Sequence, residues 1–299
     1  MCTRASHGGL LPDISTALAP QVKASYDEAM RSILLLSLAA CASHHGGTGD
    51  VDAAMGDRDS SVRDGTAVDG PPLPSGPVNI VITADNAYSF GYGDVDSIQH
   101  FTQGTKSDGS AIFDCPLGTG PEAYVVPEAD APPSAFLYIV AWDDLSVTQG
   151  VIADITRQNA TVVTGDSPFE VCATGIAYSS GPSSINGPPL DVINQEITRC
   201  NAGTGAPTTT SQGWVNTMGP TSTPGATGLM AVGETNDDAG GTFPIVCQPT
   251  ATALGVRSTA RWLWYDPNDG QAIDPFHATG MNRFKSFLIF RLGVSAIIF

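Results

Sequence analysis

From Pro77 onward the apolar positions come in short runs, broken by clusters of Gly, Pro, Asn, Asp and Ser. The runs are rich in Val, Ile, Thr and aromatic residues, which suit a pleated and partly buried surface. Residues 78–83 read Val-Asn-Ile-Val-Ile-Thr and predict a strand. Tyr88, Phe90 and Tyr92 then alternate with small residues, placing three rings on one face of a second strand. Further strands are expected at 111–113, 123–126, 136–142, 151–155, 161–164 and 169–173. A later set falls at 228–232, 243–246, 260–265 and 284–292. The run 136–142, Phe-Leu-Tyr-Ile-Val-Ala-Trp, is apolar throughout and predicts a central strand. A helical period appears at Leu190, Ile193, Ile197 and Cys200, with Gly203 placed to close it. No internal repeat is visible, which argues against a propeller or solenoid. The expectation is an all-β protein, a β-sandwich with one short helix.

The pattern differs before residue 77. Arg31 precedes the apolar run 33–38, and small residues then lead to Cys41, in the order of a secretory signal. The tetrapeptide Leu38-Ala39-Ala40-Cys41 resembles the lipobox of bacterial lipoproteins. That resemblance implies cleavage before Cys41, acylation of its thiol and display at the outer membrane, since Ala42 rather than Asp follows. Met30 reads as the true start, with residues 1–29 outside the mature protein and 30–40 as the signal. Residues 41–76 contain no aromatic side chain and include six Asp, and they end in a Pro-rich stretch. Such a segment buries too little apolar surface to offset ordering entropy and reads as a disordered tether. The folded domain is therefore expected at 77–299, with an insert at about 180–259.

Charge narrows the function. The chain has 30 acidic residues against 13 Lys plus Arg, a net charge of −17. Nucleic-acid binding through a basic face is excluded as an expectation, because phosphate contacts need cations this chain lacks. The closing run 281–299 contains Arg283, Lys285 and Arg291, so it predicts an amphipathic final strand instead of a membrane span. The membrane is expected to be reached through the lipid alone.

Cysteine usage fits export. With Cys2 upstream of Met30 and Cys41 acylated, Cys115, Cys172, Cys200 and Cys247 remain for two disulfides. The expected pairing is Cys115–Cys172 with Cys200–Cys247.

Residues 79–173 resemble galactose-binding-like jelly rolls. The matching pieces are Ile82-Thr83-Ala84-Asp85-Asn86-Ala87-Tyr88, then Leu137-Tyr138-Ile139-Val140-Ala141-Trp142-Asp143-Asp144. They continue with Gln149-Gly150-Val151-Ile152-Ala153-Asp154-Ile155 and Ser167-Pro168-Phe169-Glu170-Val171. The resemblance implies sugar or surface binding more often than catalysis.

Motifs for catalysis are largely missing. The sequence holds no Gly-x-Ser-x-Gly, His-Glu-x-x-His or phosphate-binding Gly-rich fingerprint. Only His100 and His277 lie in the globular part. Paired carboxylates for glycoside hydrolysis would have to come from Asp85, Asp143, Asp144 or Glu170. The same Asp residues suit turn hydrogen bonds. Asp266, Asn268 and Asp269 gather oxygen ligands that suit calcium. In Arg261-Trp262-Leu263-Trp264-Tyr265, alternation puts Trp262 and Trp264 on one face, either as core or as a sugar-stacking platform. These observations favour a surface-anchored extracellular binding module for a glycan or cell-surface partner. The alternatives are a structural or adhesion envelope protein and an exported glycoside hydrolase.

Overall fold

A computed structural model of the chain describes residues 75–297, apart from 86, 105–110, 115–120, 143–146, 179–186, 204–212, 222–225, 238–240, 268–272 and 278–285. The expected signal, Cys41 and tether lie outside the described residues.

The chain forms two antiparallel sheets. Its strands begin with β1 (Val78–Asp85), β2 (Ala87–Gly93), β3 (Ile98–Gln103), β4 (Glu122–Val126) and β5 (Phe136–Trp142). Then come β6 (Gly150–Arg157), β7 (Ala160–Val163) and β8 (Glu170–Ala177), followed by the helix α1 (Leu190–Ala202). The last are β9 (Val215–Asn216), β10 (Gly219–Pro220), β11 (Leu229–Thr235), β12 (Arg261–Asp266) and β13 (Ser286–Gly293). Sheet one runs β11-β12-β6-β1-β4, with β7 also paired to β6, and sheet two runs β10-β9-β8-β13-β5-β2-β3. Consecutive strands cross repeatedly between the sheets, so each sheet combines pieces distant in sequence. The chain is an all-β sandwich.

The main core lies between the sheets and joins Ile80 and Ile82 of β1 to Tyr88, Phe90, Leu137, Ile139, Leu288 and Phe290 of sheet two. Each such side chain stabilises by roughly 1.5–3 kcal/mol through burial. A second apolar layer forms on the outer face of sheet two, where Tyr138, Val140, Phe287 and Ile289 meet Ile193 and Ile197 of α1. β5 and β13 are therefore covered on both sides. This explains the unbroken apolar run of β5 and corrects the amphipathic reading of β13, which sits centrally between β5 and β8.

The helix takes the expected place. Asp191 lies in its first turn and Arg199 in its last, both favourable to the helix dipole. Gly203 ends it at φ +68°, with its N–H donating to the Cys200 carbonyl (3.1 Å). The sequence between 180 and 259 supplies α1 and β9–β11, so it is built into both sheets.

Two expected strands form otherwise. Ala111–Phe113 is a short 3-10 turn, and 243–246 has no strand partner. The expected disulfide pairing is also corrected. Cys172 on β8 bonds Cys200 on α1, with Cα atoms 6.2 Å apart. Cys172 faces outward because its neighbours Val171 and Ala173 face the main core, and α1 brings Cys200 over that outer face. Cys247 is disulfide-bonded as well, so neither Cys115–Cys172 nor Cys200–Cys247 forms; Cys115 lies outside the described residues.

Candidate functional site

The tryptophans expected as a sugar platform are core residues. Trp262 and Trp264 are each 1% exposed. Trp262 stacks on Phe243 with ring centroids 4.0 Å apart, and Trp264 meets Phe290 at 6.4 Å. No ring face is left for a saccharide, because the face they share is the one sheet one turns toward sheet two. Asp85 is buried at the end of β1 and accepts a hydrogen bond from Thr148 Oγ1. Asp143 and Asp144 lie outside the described residues. Asp266 is buried at the end of β12, while Asn268 and Asp269 lie outside the described residues. Glu170 is engaged by Arg291, whose Nε donates to Glu170 Oε2 at 2.6 Å.

Two concavities remain as candidates. The larger, about 440 Å³, runs along β11 and is bounded across from it by Phe243 and the turn at Asp274–Phe276. Its carboxylates hold the protein together. Glu234 accepts the backbone N–H groups of Thr242 (2.7 Å) and Phe243. Asp274 accepts the Phe276 N–H (2.9 Å) and pairs with His277 Nδ1 (2.7 Å). Gln149 ties down the same wall through its Nε2, which donates to the Pro275 carbonyl (2.6 Å).

The smaller pocket, about 180 Å³, opens at the β2–β3 end of sheet two. Cross-strand register places His100 directly opposite Tyr92, and their rings stack at 4.6 Å with 15° between planes. The hairpin carrying them is tightly specified. A Cβ on Gly93 would lie 2.2 Å from the Ser97 carbonyl oxygen, so only glycine fits there. Asp94 caps the turn, its Oδ1 accepting from the N–H groups of Asp96 (2.9 Å) and Ser97 (2.8 Å). Its Oδ2 accepts from Gln99 Nε2 (2.7 Å). From the other layer, Tyr138 donates its hydroxyl to the Asp94 carbonyl (2.5 Å).

The opposite rim is the 3-10 turn Glu128–Asp130. Its backbone is satisfied by Asp130 N–H to Pro127 (3.0 Å) and Ala131 N–H to Glu128 (3.1 Å). The Asp130 carboxylate and the Tyr92 hydroxyl have no hydrogen-bond partner among the described residues. Partial burial, and then the Asp130 charge, push the Tyr92 phenol above its ordinary value. Ser134 adds a hydroxyl to the same rim. The pocket thus combines a stacked aromatic surface, an acceptor and two hydroxyls, and among the described residues no Lys or Arg lines it.

That combination was hidden in the sequence. Tyr92 was legible as a sheet-facing ring, but β3 was not recognised, so nothing paired His100 with it. Asp130 lies among prolines with no periodic signal. No protein-family model, curated protein or solved structure matches the chain, so the reading of this site rests on its own residues.

Proposed function

We propose that this protein is a surface-anchored extracellular binding module, tethered by acylated Cys41, that takes a saccharide at the Tyr92–His100 pocket. One observation carries the reading. The Tyr92–His100 stack, with His100 exposed and Tyr92 half-buried, stands beside Asp130, whose carboxylate has no hydrogen-bond partner among the described residues, in a space of about 180 Å³ that matches a single sugar ring. The apolar C–H face of a pyranose packs on aromatic rings, while its hydroxyls need oriented acceptors, and both are supplied here. The larger cleft suits this role less well, because backbone amides occupy Glu234 and Asp274 and its phenylalanines are buried. The galactose-binding-like resemblance points the same way.

The test is glycan-array binding by the full chain, with and without calcium, repeated for Tyr92→Ala and His100→Ala. Binding that both substitutions abolish supports the reading. Silence of the unaltered protein on the array overturns it in favour of a structural envelope role. Loss of acyl labelling and membrane retention in Cys41→Ser tests the anchor separately.

A further inference from the structure

We infer that the pocket selects a protonated amino sugar over neutral and acidic saccharides, with Asp130 as the group that reads the ammonium. This rests on the saccharide reading and specifies the ligand class within it.

The argument begins with what each polar group already does. Asp94 is spent on its turn, accepting from Asp96, Ser97 and Gln99, yet it keeps its negative charge beside the pocket. Asp130 is half-buried and has no hydrogen-bond partner among the described residues, so its carboxylate has acceptor capacity to give to a ligand. Glu128 stands two residues away in the same turn. Among the described residues no Lys or Arg lines the pocket to offset these charges. The local field therefore repels a uronic acid and attracts a cation.

An ammonium on the sugar ring presents three donors and a full charge, and a carboxylate presents only acceptors. A hydrogen bond to a charged partner is roughly twice as strong as a neutral one. The aromatic stack contributes in the same direction, since ring faces attract cations at close range. An N-acetylated sugar keeps the ring for stacking but offers one uncharged amide donor, so it loses the charged part alone.

The experiment is calorimetric titration of the full chain with glucosamine oligomers, N-acetylglucosamine oligomers and glucuronate-containing oligomers. It is run at about pH 6, below the range in which a weakly basic amine such as that of an amino sugar loses its proton and above that of an ordinary carboxylate. The expected result is about fivefold to tenfold tighter binding of the free amine than of the N-acetyl form. The glucuronate oligomers should bind weakest, and the amine preference should shrink as salt rises. Asp130→Asn should bring the amine down to the N-acetyl level, with a smaller loss for the N-acetyl form, because the asparagine amide oxygen still accepts from a sugar hydroxyl. Equal affinity for amine and N-acetyl forms, or a preference that persists in Asp130→Asn, overturns the inference and leaves the saccharide reading standing. Absence of binding to any of the three overturns both.

Discussion

Asn194 of α1 pairs with the backbone of Ile98 as a neighbouring strand would. Its Oδ1 accepts the Ile98 N–H (2.9 Å) and its Nδ2 donates to the Ile98 carbonyl (3.1 Å). Ile98 opens β3, the edge strand of sheet two, so a helix side chain satisfies backbone groups that an edge leaves unpaired. The consequence reaches the pocket, because β3 carries His100 two residues further on. Asn194→Ala should cost about 1–3 kcal/mol, the usual penalty for leaving such groups unsatisfied. It should also weaken saccharide binding without touching any ligand atom. Chemical denaturation and titration of one sample check both effects.

Asn236 uses the same device in the main sandwich. Its Nδ2 donates to the carbonyls of Val246 (3.0 Å) and Val256 (2.8 Å), and its Oδ1 accepts the Val246 N–H (2.7 Å). The side chain is 1% exposed, so water cannot replace these bonds. Asn236→Asp keeps the acceptor and loses both donors, and it should destabilise by about 2–4 kcal/mol. Asn236→Ala should do the same, because the buried carbonyls are orphaned in either case. A thermal melt that shifts by less than a degree or so would contradict this.

These two asparagines mark where sequence reading succeeds and where it stops. The run 136–142 is legible as a central strand because burial on both faces of β5 leaves a continuous apolar signature. The run 243–246 carries the same kind of signature, yet its partner is the Asn236 amide instead of a strand. Periodicity reports burial, and it does not report which group completes the hydrogen bonds. β3, Ile-Gln-His-Phe-Thr-Gln, leaves no signature for the opposite reason, since an exposed edge strand has little apolar pattern. The pocket depends on β3, so it is hidden with it. The tryptophans at 262 and 264 were legible as a pair on one face, but nothing local says whether a face looks inward.

Arg291, which interrupts the closing apolar run in sequence, is held inside the layer between sheet two and α1. Its guanidinium lies 3.9 Å from the Trp214 ring centroid and 5.3 Å from that of Phe136. Its Nη1 donates to Asn201 Oδ1 (2.8 Å), an oxygen that also accepts from Trp214 Nε1 (2.8 Å). Lysine cannot reproduce the planar stack or two directed donors. Arg291→Lys should therefore cost about 1–2 kcal/mol. Arg291→Met should cost about 2–4 kcal/mol by leaving Glu170 without its cation. Urea midpoints for the two variants should fall in that order.

The Cys172–Cys200 bond closes a loop of 28 residues between β8 and α1. Chain-entropy reasoning gives such a loop about 3–4 kcal/mol of stabilisation. Cys200→Ser should lower stability by that order and loosen α1 first, because the bond joins the helix to the sheet. Non-reducing peptide mapping should recover the 172–200 link. The same map should join Cys247 to Cys115, since the Cys247 N–H bonds the Phe113 carbonyl (3.1 Å), two residues from that cysteine.

Glu196 gives the fold a defined response to pH. Its side chain is fully buried on α1, Oε1 accepts from Arg199, and Oε2 has no hydrogen-bond partner among the described residues. Burial raises its carboxyl above the ordinary value, and the Arg199 charge offsets this only in part, its side chain being partly in solvent. A carboxyl with a raised value in the folded state binds its proton more tightly there than in the unfolded chain. Its contribution to stability is thus fully present below the ordinary carboxylate range and is lost as pH rises through the raised value. The ionised form at neutral pH carries a desolvation cost that Arg199 compensates only in part. Glu196→Met removes that cost and frees Arg199 to hydrate, so the variant should be more stable than the unaltered protein at neutral pH. Its advantage should narrow as pH falls toward about 4, where the native carboxyl is protonated. Denaturation across that range, with matched salt, decides the matter: a variant that is less stable at pH 7, or an advantage that grows on acidification, would show that Glu196 is held by a partner instead of stranded.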